Sequence, residues 1–122
     1  MAKKILIIED DSAFQKALKK SLEREEYEVS AVSDGDTGIR AASEERPDLI
    51  LLDIILPKKS GFEVMKYISS KPELASIPVI VLTNLEGSND MEKMLTMGAQ
   101  AFLVKANYSI KEIVDVIKRI LK

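Results

Sequence analysis

Leu49-Ile50-Leu51-Leu52-Asp53 is an unbroken apolar run that ends on a carboxylate. Four apolar residues in succession describe a strand buried on both faces, as at the centre of a parallel sheet. Asp53 then stands where that strand emerges. Ligands of open α/β sheets bind outside the carboxyl ends of the strands, near the point where strand order reverses. The run therefore delivers one acidic side chain to the edge where chemistry is expected.

Upstream, Lys4-Ile5-Leu6-Ile7-Ile8 is a second such run and leads into Glu9-Asp10-Asp11. Phe14, Ala17, Leu18, Ser21 and Leu22 then share one helical face, with Asp11 or Ser12 as its cap. Glu28-Val29-Ser30-Ala31-Val32 alternates and is short, as an edge strand is. Asp34-Gly35 reads as a turn, and a weaker helical stretch runs from Asp36 to about Glu45, where Pro47-Asp48 stops it. Downstream of Asp53, a loop from Ile54 to Ser60 holds Pro57, Lys58 and Lys59. Gly61 opens a helix with Phe62, Met65 and Ile68 on one face. A connector over 71–77 leads to Pro78-Val79-Ile80-Val81-Leu82-Thr83, a buried strand that ends on a hydroxyl. The polar loop Glu86 to Asp90 starts a helix whose inner face reads as Met91, Met94 and Leu95, and Gly98 ends it. Ala101-Phe102-Leu103-Val104 is the fifth strand and runs into Lys105. Ser109-Ile110-Lys111-Glu112 is a capping box, followed by an apolar stripe of Ile110, Ile113, Val114, Ile117, Ile120 and Leu121. This is (βα) repeated five times with short connections. It predicts a single domain over residues 1–122, with a parallel five-stranded sheet, right-handed crossovers and helices on both faces.

Composition narrows the chemistry. The chain has 122 residues and a formal charge of −2, so it carries no basic footprint for nucleic acid or an anionic membrane. It has no cysteine and no histidine, which excludes disulfides, thiol catalysis, the Ser/His/Asp triad and His-dependent zinc sites. The apolar run Ile5–Ile8 is too short for a signal peptide or a membrane span, and a cytoplasmic location is expected.

All strand C-termini of a parallel sheet lie on one edge. Glu9 and Asp10 follow strand one, Asp53 ends strand three, Thr83 ends strand four and Lys105 ends strand five, so all five would gather round one cleft. Clustered carboxylates repel unless a cation intervenes. An oxygen-only set suits Mg²⁺ or Mn²⁺. The lysine and hydroxyl opposite suit the oxygens of a phosphoryl group, with Asp53 as nucleophile forming an aspartyl phosphate.

These residues resemble the receiver domain of two-component response regulators, of the single-domain chemotaxis type, over essentially the whole chain. The matching positions are the Glu9-Asp10 pair, Asp53 after its apolar run, Pro57 and Gly61 in the next loop, Thr83, Gly98-Ala99, Phe102 and Lys105. The resemblance implies a flavodoxin-like doubly wound (βα)5 fold with strand order 2-1-3-4-5. It implies transfer of a phosphoryl group from a sensor histidine kinase or histidine phosphotransfer protein onto Asp53. Glu9, Asp10, Asp53 and the backbone carbonyl of Ile55 would hold Mg²⁺, and Thr83 and Lys105 would bind phosphoryl oxygens. Thr83 and Phe102 would form the switch that alters the face of helix four, strand five and helix five, toward a downstream target or output domain. Ile55 and Leu85, two residues past Asp53 and Thr83, are apolar and cannot orient a water, so slow self-dephosphorylation is expected. Two departures stand out. Ala106 follows Lys105 where the family usually has proline with a cis bond, and a cis bond before alanine costs about 2.5–4 kcal/mol. Asn84 follows Thr83 where a small residue is usual.

Read singly, each residue has a plainer role. Glu9-Asp10-Asp11 suits a helix N-terminus, Asp53 a turn cap, Thr83 a strand, Lys105 a solvated ion pair, and Phe102 a half-exposed edge aromatic. Two other functions compete with the switch. One is an unphosphorylated pseudo-receiver acting as an interaction module. The other is a flavodoxin-like cofactor binder, against which the acidic first loop counts. The chain ends at Lys122 directly after its last helix, which reads either as a stand-alone regulator or as a receiver taken from a longer one.

Overall fold

The computed structural model describes residues 2–84 and 87–122, with Ser88 described by its backbone alone. Five parallel strands form one sheet in the order β2-β1-β3-β4-β5. They are β1 (Lys4–Ile8), β2 (Glu28–Val32), β3 (Leu49–Leu52), β4 (Val79–Thr83) and β5 (Ala101–Val104). Between and after them run α1 (Ser12–Arg24), α2 (Gly35–Glu45), α3 (Gly61–Ser70), α4 (Ser88–Thr96) and α5 (Ile110–Leu121).

The continuous apolar strands follow from a core on each side of the sheet. Side chains alternate along a strand. Leu6, Ile8, Ile50, Leu52, Val79 and Val81 therefore face α2, α3 and α4, where they meet Ala42, Val64, Ile68 and Met94. Ile5, Ile7, Leu49, Leu51, Ile80 and Leu82 face the other way, onto Leu18 and Leu22 of α1 and Ile113 and Ile117 of α5. β3 is buried along its whole length, as the run Leu49–Leu52 requires. Strand order reverses between β1 and β3, whose registers pair Ile8 with Leu52. Glu9 and Asp53 leave the sheet side by side at that reversal. Each is held by a ladder-type bond, Asp53 N–H to Ile8 O at 3.0 Å and Glu9 N–H to Val32 O at 3.0 Å.

Several expectations are corrected. Ala17 is exposed, because α1 packs along the Phe14, Leu18, Leu22 ridge and Ala17 falls a third of a turn away. Asp34-Gly35 is no free turn: Asp34 is the N-cap of α2 and Gly35 its first residue. Met91 and Leu95 do not face inward but are 43% and 44% exposed, leaving Met94 as the buried contact of α4, with Met97 packed beside the same core. Within the connector, Leu74 is fully buried and anchors a turn. Lys105 lies past β5, in a 3-10 turn over Lys105–Asn107, and the Lys105–Ala106 peptide is trans.

Asp34 also makes a pH prediction. Its carboxylate accepts from Thr37 N at 2.8 Å and from the Thr37 hydroxyl at 2.9 Å, and these bonds hold its pKa below the usual aspartate value. A depressed acid contributes stability above its unfolded pKa, near 4, and loses it as the pH falls toward the folded value. Asp34→Asn is expected to flatten that acid-side fall, read as melting temperature against pH. An unchanged acid limb in the variant would assign the fall to other carboxylates.

Candidate functional site

The three acids after β1 separate into three roles. Glu9 is buried; its Oε2 accepts Asp11 N–H at 2.9 Å, and its Oε1 pairs with the Lys105 ammonium. Asp10 is exposed at the rim. Asp11 caps α1, its Oδ1 accepting Phe14 N–H at 3.1 Å, so the helix-terminus reading holds for this one residue. Asp53 is 7% exposed; Oδ1 accepts the Ile54 N–H at 2.7 Å and Oδ2 accepts from Lys105 Nζ at 3.1 Å. Lys105 thus bridges the acids after β1 and β3 from the far end of β5.

A cavity of about 310 Å³ opens over these groups, lined by Glu9, Asp10, Asp11, Asp53, Ile55, Thr83, Asn84 and Lys105. Oxygens of Glu9, Asp10 and Asp53 all lie within 4.8 Å of one another. Three carboxylates against one ammonium leave an excess of two negative charges, and every side-chain donor in the acidic set is oxygen. The donor chemistry and the excess charge fit a hard divalent cation such as Mg²⁺.

Burial pushes the Glu9 carboxyl above the usual range, against the lowering contacts with Lys105 and the Asp11 N–H. For Lys105, burial works to lower the pKa, but the contacts with Glu9 and Asp53 outweigh it and hold the ammonium above its usual value. The two directions pull apart within one ion pair. Two carboxylates face Lys105 and favour its charge, whereas Glu9 has the Asp53 carboxylate beside it as well as the ammonium.

Thr83 is buried at the C-terminal end of β4. The register pairs Val81 with Phe102 and Thr83 with Val104, so Thr83 and Phe102 occupy the same sheet face one diagonal apart. Phe102 is partly buried against the core beneath α2, α3 and α4. Ile55 is 60% exposed at the cavity mouth. Leu85, expected to flank the phosphoryl approach, lies outside the described residues.

Two residues at the site were not singled out by the sequence. The Gln15 carboxamide donates to Glu9 O at 2.8 Å and Val32 O at 3.0 Å, tying the loop after β1 to the end of β2. The Phe14 ring lies under the Lys105 ammonium, 4.7 Å from ring centroid to Nζ. Neither role has a local sequence signal: Phe14 fits the apolar ridge of α1, and Gln15 is a polar helix residue.

The sheet order and the acid-lysine cleft at its reversal define a class of protein, and sequence comparison agrees. The chain matches the response regulator receiver domain over residues 5–118 and belongs to that family, whose members signal through a phosphorylated aspartate. It is 36% identical to the polar-differentiation response regulator DivK of Brucella anthropi, over 99% of this chain and 98% of DivK. It is 38% identical to the response regulator PleD of Caulobacter vibrioides over 86% of this chain, but spans only 23% of PleD. Among solved structures it superposes with a TM-score of 0.86 on the receiver domain of sensor histidine kinase PA1611 from Pseudomonas aeruginosa PAO1, which has a magnesium ion coordinated in its active-site cleft. That pair is 28% identical and covers 98% of this chain and 97% of the other. Among the described residues, no helix is long and apolar enough to cross a membrane.

Proposed function

We propose that residues 1–122 form one receiver domain that works as a phosphorylation-controlled switch, with Asp53 as the phosphoacceptor. The observation that carries this reading is the Asp53 carboxylate, fixed by the Ile54 N–H and facing the Lys105 ammonium in a cavity that Glu9, Asp10 and Thr83 also line. The donor is the phosphohistidine of a sensor histidine kinase or phosphotransfer protein. An Asp53 oxygen attacks phosphorus, the phosphorus–nitrogen bond breaks, and its electron pair returns to the donor imidazole.

Such a transfer needs positioning and charge neutralisation more than covalent assistance. The Lys105 ammonium moves its hydrogen bonds from carboxylate to phosphoryl oxygens, and the Thr83 hydroxyl offers a further donor. Glu9, Asp10, Asp53 and the Ile55 carbonyl would hold Mg²⁺, which supplies charge neutralisation for the phosphoryl oxygens. The apolar Ile55 at the cavity mouth has no group to orient a water, which favours a slowly hydrolysed phosphoaspartate. Output runs from Thr83 through Phe102 to the α4, β5, α5 face, toward a downstream protein or an attached output domain. The exposed Met91 and Leu95 on α4 give that face an apolar contact.

Intact-mass measurement with acetyl phosphate and Mg²⁺ tests the reading. The protein is expected to gain one phosphoryl group and Asp53→Asn none, because an amide is not a nucleophile here. Asp10→Ala is expected to slow uptake sharply and to lose the Mg²⁺-dependent rise in melting temperature. Uptake by Asp53→Asn at the unmutated rate would sink the assignment. No uptake by the unmutated chain would leave an interaction module on the same fold.

A further inference from the structure

Lys105 has a long way to reach. It follows β5, an edge strand, whereas Asp53 follows β3, two strand spacings or about 10 Å across the sheet. A lysine stem reaching toward it has several rotatable bonds and loses much of its side-chain entropy when held in one place. Its two carboxylate partners do not stay constant either. Phosphorylation of Asp53 replaces one of them with a phosphoryl group, and a bound cation competes for both. Something else must keep the ammonium at the cleft while its acceptors change.

The Phe14 ring occupies that place. It sits on the first turn of α1, which the Asp11 cap fixes, and packs against the core shared by α1 and α5. Its centroid is 4.7 Å from Lys105 Nζ, within the range at which a ring face attracts an ammonium. The lysine side chain is 10% exposed, so water screens the contact little. A π face attracts the charge without fixing the direction of any N–H. The ammonium can then turn from carboxylate to phosphoryl oxygen without losing this contact.

We propose that Phe14 is a positioning residue for Lys105 in the phosphoryl-transfer reaction, acting through the charge distribution of its ring. This role rests on Asp53 being the phosphoacceptor. A desolvated cation–π contact of this kind corresponds to roughly a five- to thirtyfold effect on an equilibrium or rate.

The test replaces the ring's electronics and keeps its shape. Pentafluorophenylalanine placed at position 14 is expected to slow phosphorylation by acetyl phosphate by about five- to thirtyfold at saturating Mg²⁺. Phe14→Tyr, which keeps the π face, is expected to stay close to the unmutated rate, and Phe14→Leu to fall with the fluorinated protein. A second readout needs neither metal nor phosphate: the Lys105 ε-methylene protons should show an upfield ring-current shift that Phe14→Leu removes and Phe14→Tyr keeps. A fluorinated protein that phosphorylates as fast as the unmutated one would overturn the proposal, leaving Phe14 as packing alone. So would a Lys105 signal that is the same with and without the ring. A chain that takes no phosphoryl group in any form would instead overturn the phosphoacceptor reading, and this role with it.

Discussion

Lys105→Met is expected to lower the unfolding free energy by about 3 kcal/mol at neutral pH without divalent cation, and Mg²⁺ is expected to restore a large part of it. Methionine keeps most of the stem volume, so the loss is electrostatic and not a cavity. What remains is the Glu9 and Asp53 pair, with side chains 4% and 9% exposed and oxygens within 4.8 Å of each other. Removing one partner of a buried ion pair leaves uncompensated charge, which costs far more than an exposed pair contributes. Glu9 already has a raised pKa through burial, and loss of the ammonium raises it further. A raised acid is stabilising below its unfolded value and costs stability as the pH rises through the folded one. The deficit is therefore largest at neutral pH and shrinks as the pH falls toward about 4.3, the ordinary glutamate value. Phosphorylation of the variant should slow by about 100-fold, as when a donor to a developing oxyanion is removed. Urea unfolding at neutral and acid pH, with and without Mg²⁺, reads the stability terms. Equal stability of variant and unmutated protein at neutral pH without metal would mean the carboxylates are solvated, and the ion-pair account fails.

The residues of that cluster were legible in the sequence because a parallel sheet converts sequence position into place. An apolar run such as Ile5–Ile8 or Leu49–Leu52 fixes a strand, and whatever follows it arrives at the same edge. Glu9, Asp53 and Lys105 meet there without any local motif joining them. Helix faces were less legible. On α1, Phe14, Ala17, Leu18, Ser21 and Leu22 all fit one apolar stripe, yet only the ridge of every fourth residue reaches the sheet. On α4, Met91, Met94 and Leu95 have equal claim to the core by hydropathy, and the helix is too short and too near the sheet's edge to bury all of them. Contacts made from the side of an element were illegible altogether. The placement of the Phe14 ring under Lys105 depends on how α1 tilts against the sheet, and no spacing rule encodes that.

Gly61→Ala is expected to cost about 1–3 kcal/mol of stability and to slow phosphorylation by about 100-fold. Gly61 is the first residue of α3, and its N–H donates to Ile54 O at 2.7 Å. A methyl group there would stand 2.3 Å from the Asp53 carbonyl oxygen and 2.6 Å from the Ile54 Cα. Both are backbone atoms and neither can rotate away, so the loop or the helix must shift. The helix is pinned by the Ser60–Glu63 capping box and by Val64, Met65 and Ile68 in the core. The displacement therefore falls on Asp53 and Ile54, whose N–H holds the Asp53 carboxylate at 2.7 Å. A shift near 1 Å at a reacting group is enough for a hundredfold loss of rate. Gly87→Ala is the control. Among the described residues its methyl would come no closer than 3.3 Å, there to the movable carboxylate of Asp90, so the rate should hardly change and stability should fall less than in Gly61→Ala. Urea unfolding and the acetyl phosphate reaction, run on both variants, separate the two sites. If Gly61→Ala phosphorylates at the unmutated rate, the tight approach of α3 to the end of β3 is not what holds Asp53 in register with Lys105.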